Sequence, residues 1–313
     1  MSFILLIVGF VLLIKGADLF VDSSVNIAKR LKIPNLIIGL TIVAIGTGAP
    51  EAVISITASL QGSNDLAIGN IVGSNIFNLM FVVGICGIIK PFTINLKSIL
   101  VNYWIAIGAA VALLLLKLLG GDYIPRIGSL FLFIAFVVYL SALIVQAKNK
   151  TIIEDDTHKE NNEKTKPLPI NILLAVLGCS MIIIGGHFTV VSATEIAVTF
   201  GITERIIGLT IVAVGTSLPE LVIFLVACKK GENDVALGNI IGSSIFNILF
   251  VLGLTGMISP LTIDINLTFD TIVLIMASLI TLIFFYTGKR LVRFEGFAMV
   301  ASFMTYMLYI TLI

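Results

Sequence analysis

The chain has 313 residues, 58% of them hydrophobic and only 12% charged, with a net charge of +1 and a mean hydropathy of +1.14. A soluble domain carries about 25% charged residues, so this composition excludes an ordinary soluble globule and implies a polytopic membrane protein. The near-neutral balance and the lack of a nucleotide-binding loop or a catalytic-triad motif give no sign of a nucleic-acid partner or of covalent catalysis.

Apolar runs long enough to cross about 30 Å of hydrocarbon are predicted near 3–24, 36–60, 66–89, 95–118, 123–146, 169–198, 206–228, 235–258, 266–287 and 293–313. They are long and continuously apolar, which argues for helices and against the short alternating strands of a barrel. The first run has no basic leader and no small-residue cleavage site, and is expected to be a retained helix. The expected fold is therefore an all-α polytopic membrane protein of ten transmembrane helices. Cys86, Cys179 and Cys228 lie in or at the ends of apolar runs and suggest neither a disulfide framework nor a metal cluster.

Residues 36–91 recur at 205–260 with a constant offset of 169, and 33 of the 56 aligned positions are identical. The polar segment 148–167, EDDTHKENNEKTK at its centre, separates five expected spans from five more. It reads as a cytoplasmic connector between a first repeat, 1–147, and a second, 168–313; its acidic residues lack the spacing of a calcium-binding loop. An odd number of spans per half makes the second copy enter from the opposite side, giving two inverted-topology five-helix repeats. Basic residues in alternate connections number 15 on one side and 3 on the other, which places both termini outside and 148–167 in the cytoplasm. In the first span, Asp18 and Asp22 align with His187 and Val191, and Lys15 with Ile184; these are read as interfacial or helix-sliding positions, and Glu195 as solvated.

Glu51 and Glu220 stand at equivalent places in GLTIVAIGTGAPEAVIS and GLTIVAVGTSLPELVIF, each the single charge in an apolar stretch. A carboxylate at mid-membrane depth costs several kcal/mol and is by default a functional residue facing protein or water. Pro50 and Pro219 remove the amides that would bond to Gly46 and Gly215 and should open backbone carbonyls nearby. Thr47 and Glu51, like Thr216 and Glu220, are four apart and share a helix face. Asn70, Ser74 and Asn78 recur at the same interval in the next span, matched by Asn239, Ser243 and Asn247, while Gly69, Gly73, Gly238 and Gly242 would let the helices approach closely. The result is an oxygen-only ligand set, suited to calcium and able to accept sodium. Two carboxylates balance one calcium ion, and its departure leaves them repelling one another until sodium or protons replace it.

GTGAPE at 46–51 and GTSLPE at 215–220, with GNIVGSNIFN at 69–78 and GNIIGSSIFN at 238–247, strongly resemble the two alpha-repeats of the sodium/calcium exchanger family, microbial type. The resemblance implies a secondary active antiporter exchanging three sodium ions for one calcium by alternating access, with no cofactor beyond the transported ions. It assigns Glu51 and Glu220 to both ions and Thr47 and Thr216 to calcium. Ala44, Thr47, Glu51 and Ser74 would form one peripheral sodium site, and Ala213, Thr216, Glu220 and Ser243 its mate, the alanines through backbone oxygens. Asn78 and Asn247 would line the middle site. This chain departs from the pattern at Gly48, where Ser is common, and at Asn247, where some relatives carry Asp. Those departures keep proton/calcium exchange open as a second reading, and a gated cation channel as a third. Either a monomer or a homodimer in the bilayer is compatible with the internal duplicate.

Overall fold

The computed structural model describes residues 2–62, 64–121, 123–154, 166–200, 213–262 and 265–312. Helix α1 (Ser2–Leu31) packs along α9 (Leu168–Thr199) through facing glycines. A Cβ on Gly16 would lie 2.8 Å from the carbonyl oxygen of Gly178, and one on Gly185 the same distance from that of Gly9, so the two backbones touch where any side chain would part them.

The second expected span is not one helix with a proline inside it. It runs as α2 (Asn35–Ile38), a π-helical turn π1 (Gly39–Val43) and α3 (Ala44–Thr47), then bends by 48° into α4 (Ala49–Leu60). The break falls at Gly48, and Pro50 occupies the first turn of the new helix, where the amide it lacks would have had no helical partner. The next span is α5 (Asn64–Ile76), π2 (Phe77–Val82) and α6 (Val83–Ile89). Its repeat is α12 (Asn233–Ile245), π3 (Phe246–Leu252) and α13 (Gly253–Ile258), preceded by α10 (Ala213–Thr216) and α11 (Leu218–Lys230). Residues 205–212 of the duplicate lie outside the described residues.

Three long outer helices, α7 (Leu96–Gly120), α8 (Arg126–Glu154) and α14 (Ile265–Gly288), and the shorter α15 (Arg293–Leu312) surround this centre. Helix α8 continues through 148–154, so the start of the expected connector is helical. Two minimal antiparallel ladders tie the ends together, β1 (Phe92–Thr93) with β4 (Arg290–Leu291) and β2 (Tyr123–Ile124) with β3 (Leu261–Thr262).

The result is an all-α polytopic membrane fold. Among the described residues, seven helices are long and apolar enough to cross a bilayer, or eight with the bent pair. Large apolar side chains such as Phe3, Leu119, Phe131 and Phe297 are exposed around the perimeter, as lipid contact requires. Both buried glutamates lie at the centre on α4 and α11, with buried asparagines and serines on α5, α12 and the π turns that follow.

Candidate ion-binding site

Each half breaks its helix just before the glutamate. Gly48 (φ −77°, ψ −2°) separates α3 from α4, and Ser217 (φ −95°, ψ 9°) separates α10 from α11. Glu51 and Glu220 therefore lie in the first turn of a new helix, whose amide-rich end stabilises a carboxylate. Both are fully buried and close enough that the charge of one bears on the other. Among the described residues no third Asp, Glu, His or Cys joins them to form a metal-ligating cluster.

Their surroundings differ. Ser217 stands at the N-cap of α11 without capping it, and its hydroxyl donates instead across the centre to Glu51 Oε1 at 3.4 Å. Its mate is Gly48, which has no hydroxyl to give Glu220. Glu51 Oε2 and both oxygens of Glu220 accept no hydrogen bond from the described residues. A Cβ at Gly48 would lie 3.0 Å from the carbonyl oxygen of Ala44 and 3.1 Å from Phe246 Cδ1, so a side chain there requires that ring to yield.

The hydroxyl of Thr47, beside Glu220, donates to Asn239 Oδ1 at 3.0 Å, with the carbonyl of Ala44 also within reach at 3.3 Å. A hydroxyl that gives its proton to an amide oxygen turns lone pairs to whatever lies on its other side. Thr216 is half-buried at the end of α10, which Ala213 begins. Ser74 and Ser243 are buried, Ser243 donating to the carbonyl of Ile240 at 3.1 Å. Asn78 and Asn247 are fully buried at the second position of π2 and π3. Neither amide atom of Asn78 has a partner among the described residues, while Asn247 Nδ2 donates to Asn75 Oδ1 at 3.2 Å and its Oδ1 accepts nothing.

Not every expected residue reaches the centre in the expected way. Asn70 is half-buried and donates to Ser55 Oγ of its own half at 3.1 Å, whereas its mate Asn239 crosses to Thr47. The carbonyl of Gly46, at the end of α3, is met by Cys179 Sγ of α9 at 3.6 Å. Gly238 and Gly242 do permit close approach, a Cβ on either lying 2.7 Å from backbone of α2 or π1. Sequence reasoning missed Asn75, and it missed the π turns that follow Ile76 and Ile245. An extra residue per turn at these places rotates the asparagines relative to the preceding helix, a feature common at functional sites.

The arrangement offers two carboxylates and several neutral oxygens, and among the described residues no basic side chain is hydrogen-bonded to either carboxylate. Buried uncompensated charge of this kind calls for a hard cation bound through oxygen.

Comparison with known proteins gives the same direction. Residues 1–145 and 170–312 match the family model described as sodium/calcium exchanger protein. A putative antiporter, CaxA of Alkalimonas amylolytica, is 40% identical over 310 residues, covering 97% of this chain and 96% of its own. The sodium/calcium exchanger MaX1 of Methanosarcina acetivorans is 35% identical over 340 residues, covering 98% and 97%. Among solved structures, the sodium-calcium exchanger NCX_Mj soaked with zero Na+ and Ca2+ superimposes with a TM-score of 0.82 at 31% identity, over 99% of this chain and 98% of that one.

Proposed function

Because the chain belongs to the sodium/calcium exchanger family, we propose that it is a secondary active antiporter that exchanges sodium for calcium across a cell membrane by alternating access, three sodium ions for one calcium. The observation that carries this reading is the pair Glu51 and Glu220, fully buried, mutually close and short of hydrogen-bond donors. One calcium ion neutralises both charges. Sodium ions replace it at two peripheral positions, one bounded by Ala44, Thr47, Glu51 and Ser74 and the other by Ala213, Thr216, Glu220 and Ser243, with Asn78 and Asn247 at the middle. An empty site, with two like charges facing each other in a low dielectric, is unfavourable, so release of one ion is coupled to entry of the other.

The architecture in this reading is ten membrane helices in two inverted five-helix repeats, 1–147 and 168–313, joined by 148–167. Contacts that come in exchanged pairs support it. Gly9 meets Gly185 and Gly16 meets Gly178, each pair mapping onto the other through the offset of 169. Within each half an equivalent stack recurs, Phe77 on Phe81 at 4.9 Å and Phe246 on Phe250 at 4.8 Å. Ends assigned to one side by the basic-residue count also meet one another: Lys90 Nζ donates to the carbonyl of Cys228 on the side given to the cytoplasm, and Asn64 Nδ2 to that of Pro260 on the side given to the exterior, where both termini belong. Nothing in the site requires a second subunit, so a monomer suffices and a homodimer would carry two sites.

The α1–α9 pair is the element proposed to slide past the rest and expose the site alternately, held together by its glycine seam. At the end assigned to the cytoplasm, Lys230 of α11 bridges Asp18 at 3.2 Å and Asp22 at 2.7 Å on α1. Their counterparts Gln61, His187 and Val191 cannot form that bridge on the opposite side.

Proton/calcium exchange is the second reading, favoured by Gly48, which leaves both oxygens of Glu220 free to accept a proton. Purified protein in sealed vesicles separates the two. Calcium uptake driven by an outward sodium gradient at fixed pH and membrane potential is expected; uptake driven by a proton gradient alone and indifferent to sodium overturns the sodium reading.

A further inference from the structure

Asn75 stands outside the duplicated pattern, since its mate is Ser244 and not asparagine. It is nevertheless fully buried, on α5 next to Ser74, and both ends of its amide are engaged by the other half of the molecule. Its Nδ2 donates to the backbone carbonyl of Ser244 at 3.5 Å, a long bond but one whose direction is fixed, because a carbonyl can only accept. That leaves Asn75 Oδ1 at the other end, where it accepts from Asn247 Nδ2 at 3.2 Å. Asn247 Oδ1 is then the end left over, buried and without a donor among the described residues. Turning either amide over would set oxygen against oxygen or N–H against N–H, so one backbone carbonyl dictates the order of the whole run.

We propose that Asn75 is a positioning residue for the ion site: it occupies the amide nitrogen of Asn247 so that this side chain presents an oxygen to the cation. An amide is a good ligand for a hard cation through its oxygen and a repulsive neighbour through its N–H groups, so its orientation decides whether Asn247 helps or hinders. A carboxylate at 247 has no hydrogen to give. It would meet Asn75 Oδ1 with a second acceptor and draw the Asn75 N–H away from Ser244. Asn75 is thus matched to asparagine at 247, and with it to a site whose fixed charge resides on Glu51 and Glu220.

The assignment rests on the reading of the centre as a calcium and sodium site, and a double-mutant cycle tests it separately. Equilibrium binding of radioactive calcium to the purified full chain is measured for wild type, Asn75→Ala, Asn247→Ala and the double variant. Loss of a group that orients a metal ligand typically weakens binding about 10- to 100-fold. The expectation is a calcium affinity about tenfold weaker in Asn75→Ala, and a double variant no weaker than Asn247→Ala, because an absent ligand needs no orienting. If Asn75→Ala yields no folded protein, Asn75→Ser, too short to span both partners, takes its place in the cycle. Unchanged affinity in the Asn75 variant, or losses that multiply in the double variant, overturns the positioning role. Wild-type protein that binds no calcium displaceable by sodium overturns the exchange reading and this role together, which distinguishes the two failures.

Discussion

Glu51 and Glu220 occupy equivalent places in two copies of one motif, yet Glu51 accepts the Ser217 hydroxyl from the opposite half while Glu220 faces a Thr47 hydroxyl whose proton goes to Asn239. The difference comes from a single pair, Ser217 and Gly48. Both copies bring their carboxylate to a buried position, and the Ser217/Gly48 difference makes the two surroundings unequal. Ser217 holds one oxygen of Glu51, while neither oxygen of Glu220 is held by a hydrogen bond of good geometry from the described residues.

The harshest way to break the comparison is to neutralise either carboxylate at constant size. Glu51→Gln and Glu220→Gln should each reduce calcium transport at least about 100-fold, the scale set by removing one partner of a buried charge interaction. Retained coupling in either variant, measured as sodium-dependent calcium uptake, excludes that residue. Next in size is Ser217→Gly, which makes the halves alike by removing the donor to Glu51. A hydrogen bond to a charged group is worth about 1.5–3 kcal/mol, and at 3.4 Å the lower figure applies, so sodium affinity should fall about tenfold. An unchanged sodium titration would mean that the bond has no part in binding.

The reciprocal change, Gly48→Ser, supplies Glu220 with a hydroxyl but crowds Phe246, a strain of about 1–3 kcal/mol that offsets most of the gain. The thermal midpoint should fall while sodium affinity changes by no more than about threefold. Pairing it with Phe246→Leu should recover part of the stability, and no recovery would place the strain elsewhere. The smallest effect belongs to Lys230→Met. The lysine and its two aspartates are partly exposed, and such bridges contribute about 0.2–1 kcal/mol, so the ratio of inward to outward accessibility should shift by at most about fivefold. Accessibility measured by cysteine labelling on both faces reads this directly.

Much of the centre was legible in the sequence because its signals are local. A charge inside an apolar run announces itself, and a gapless duplicate marks Thr47, Ser74 and Asn78 together with their mates. Other features depend on geometry that no local pattern encodes. Pro50 suggested a kink within a helix, but Gly48, two residues earlier, took the break and left the proline in the first turn of the next helix. The π turns after Ile76 and Ile245 contain no proline or glycine, so no local signal distinguished them from α-helix. Asn75 was hidden by the criterion that revealed its neighbours, since it has no matching mate and acts across the interface between halves. The asymmetry at Gly48 was readable as a substitution, although only the cross-centre bond from Ser217 gave it a consequence.

The central claim is that one pair of carboxylates holds calcium and sodium in turn. Displacement of bound calcium by sodium from the purified protein at constant ionic strength tests it most directly. The account predicts complete competitive displacement with a Hill coefficient above 1, lost in Glu51→Gln and in Glu220→Gln. Calcium binding that sodium leaves unchanged, or that survives neutralisation of both glutamates, would contradict it.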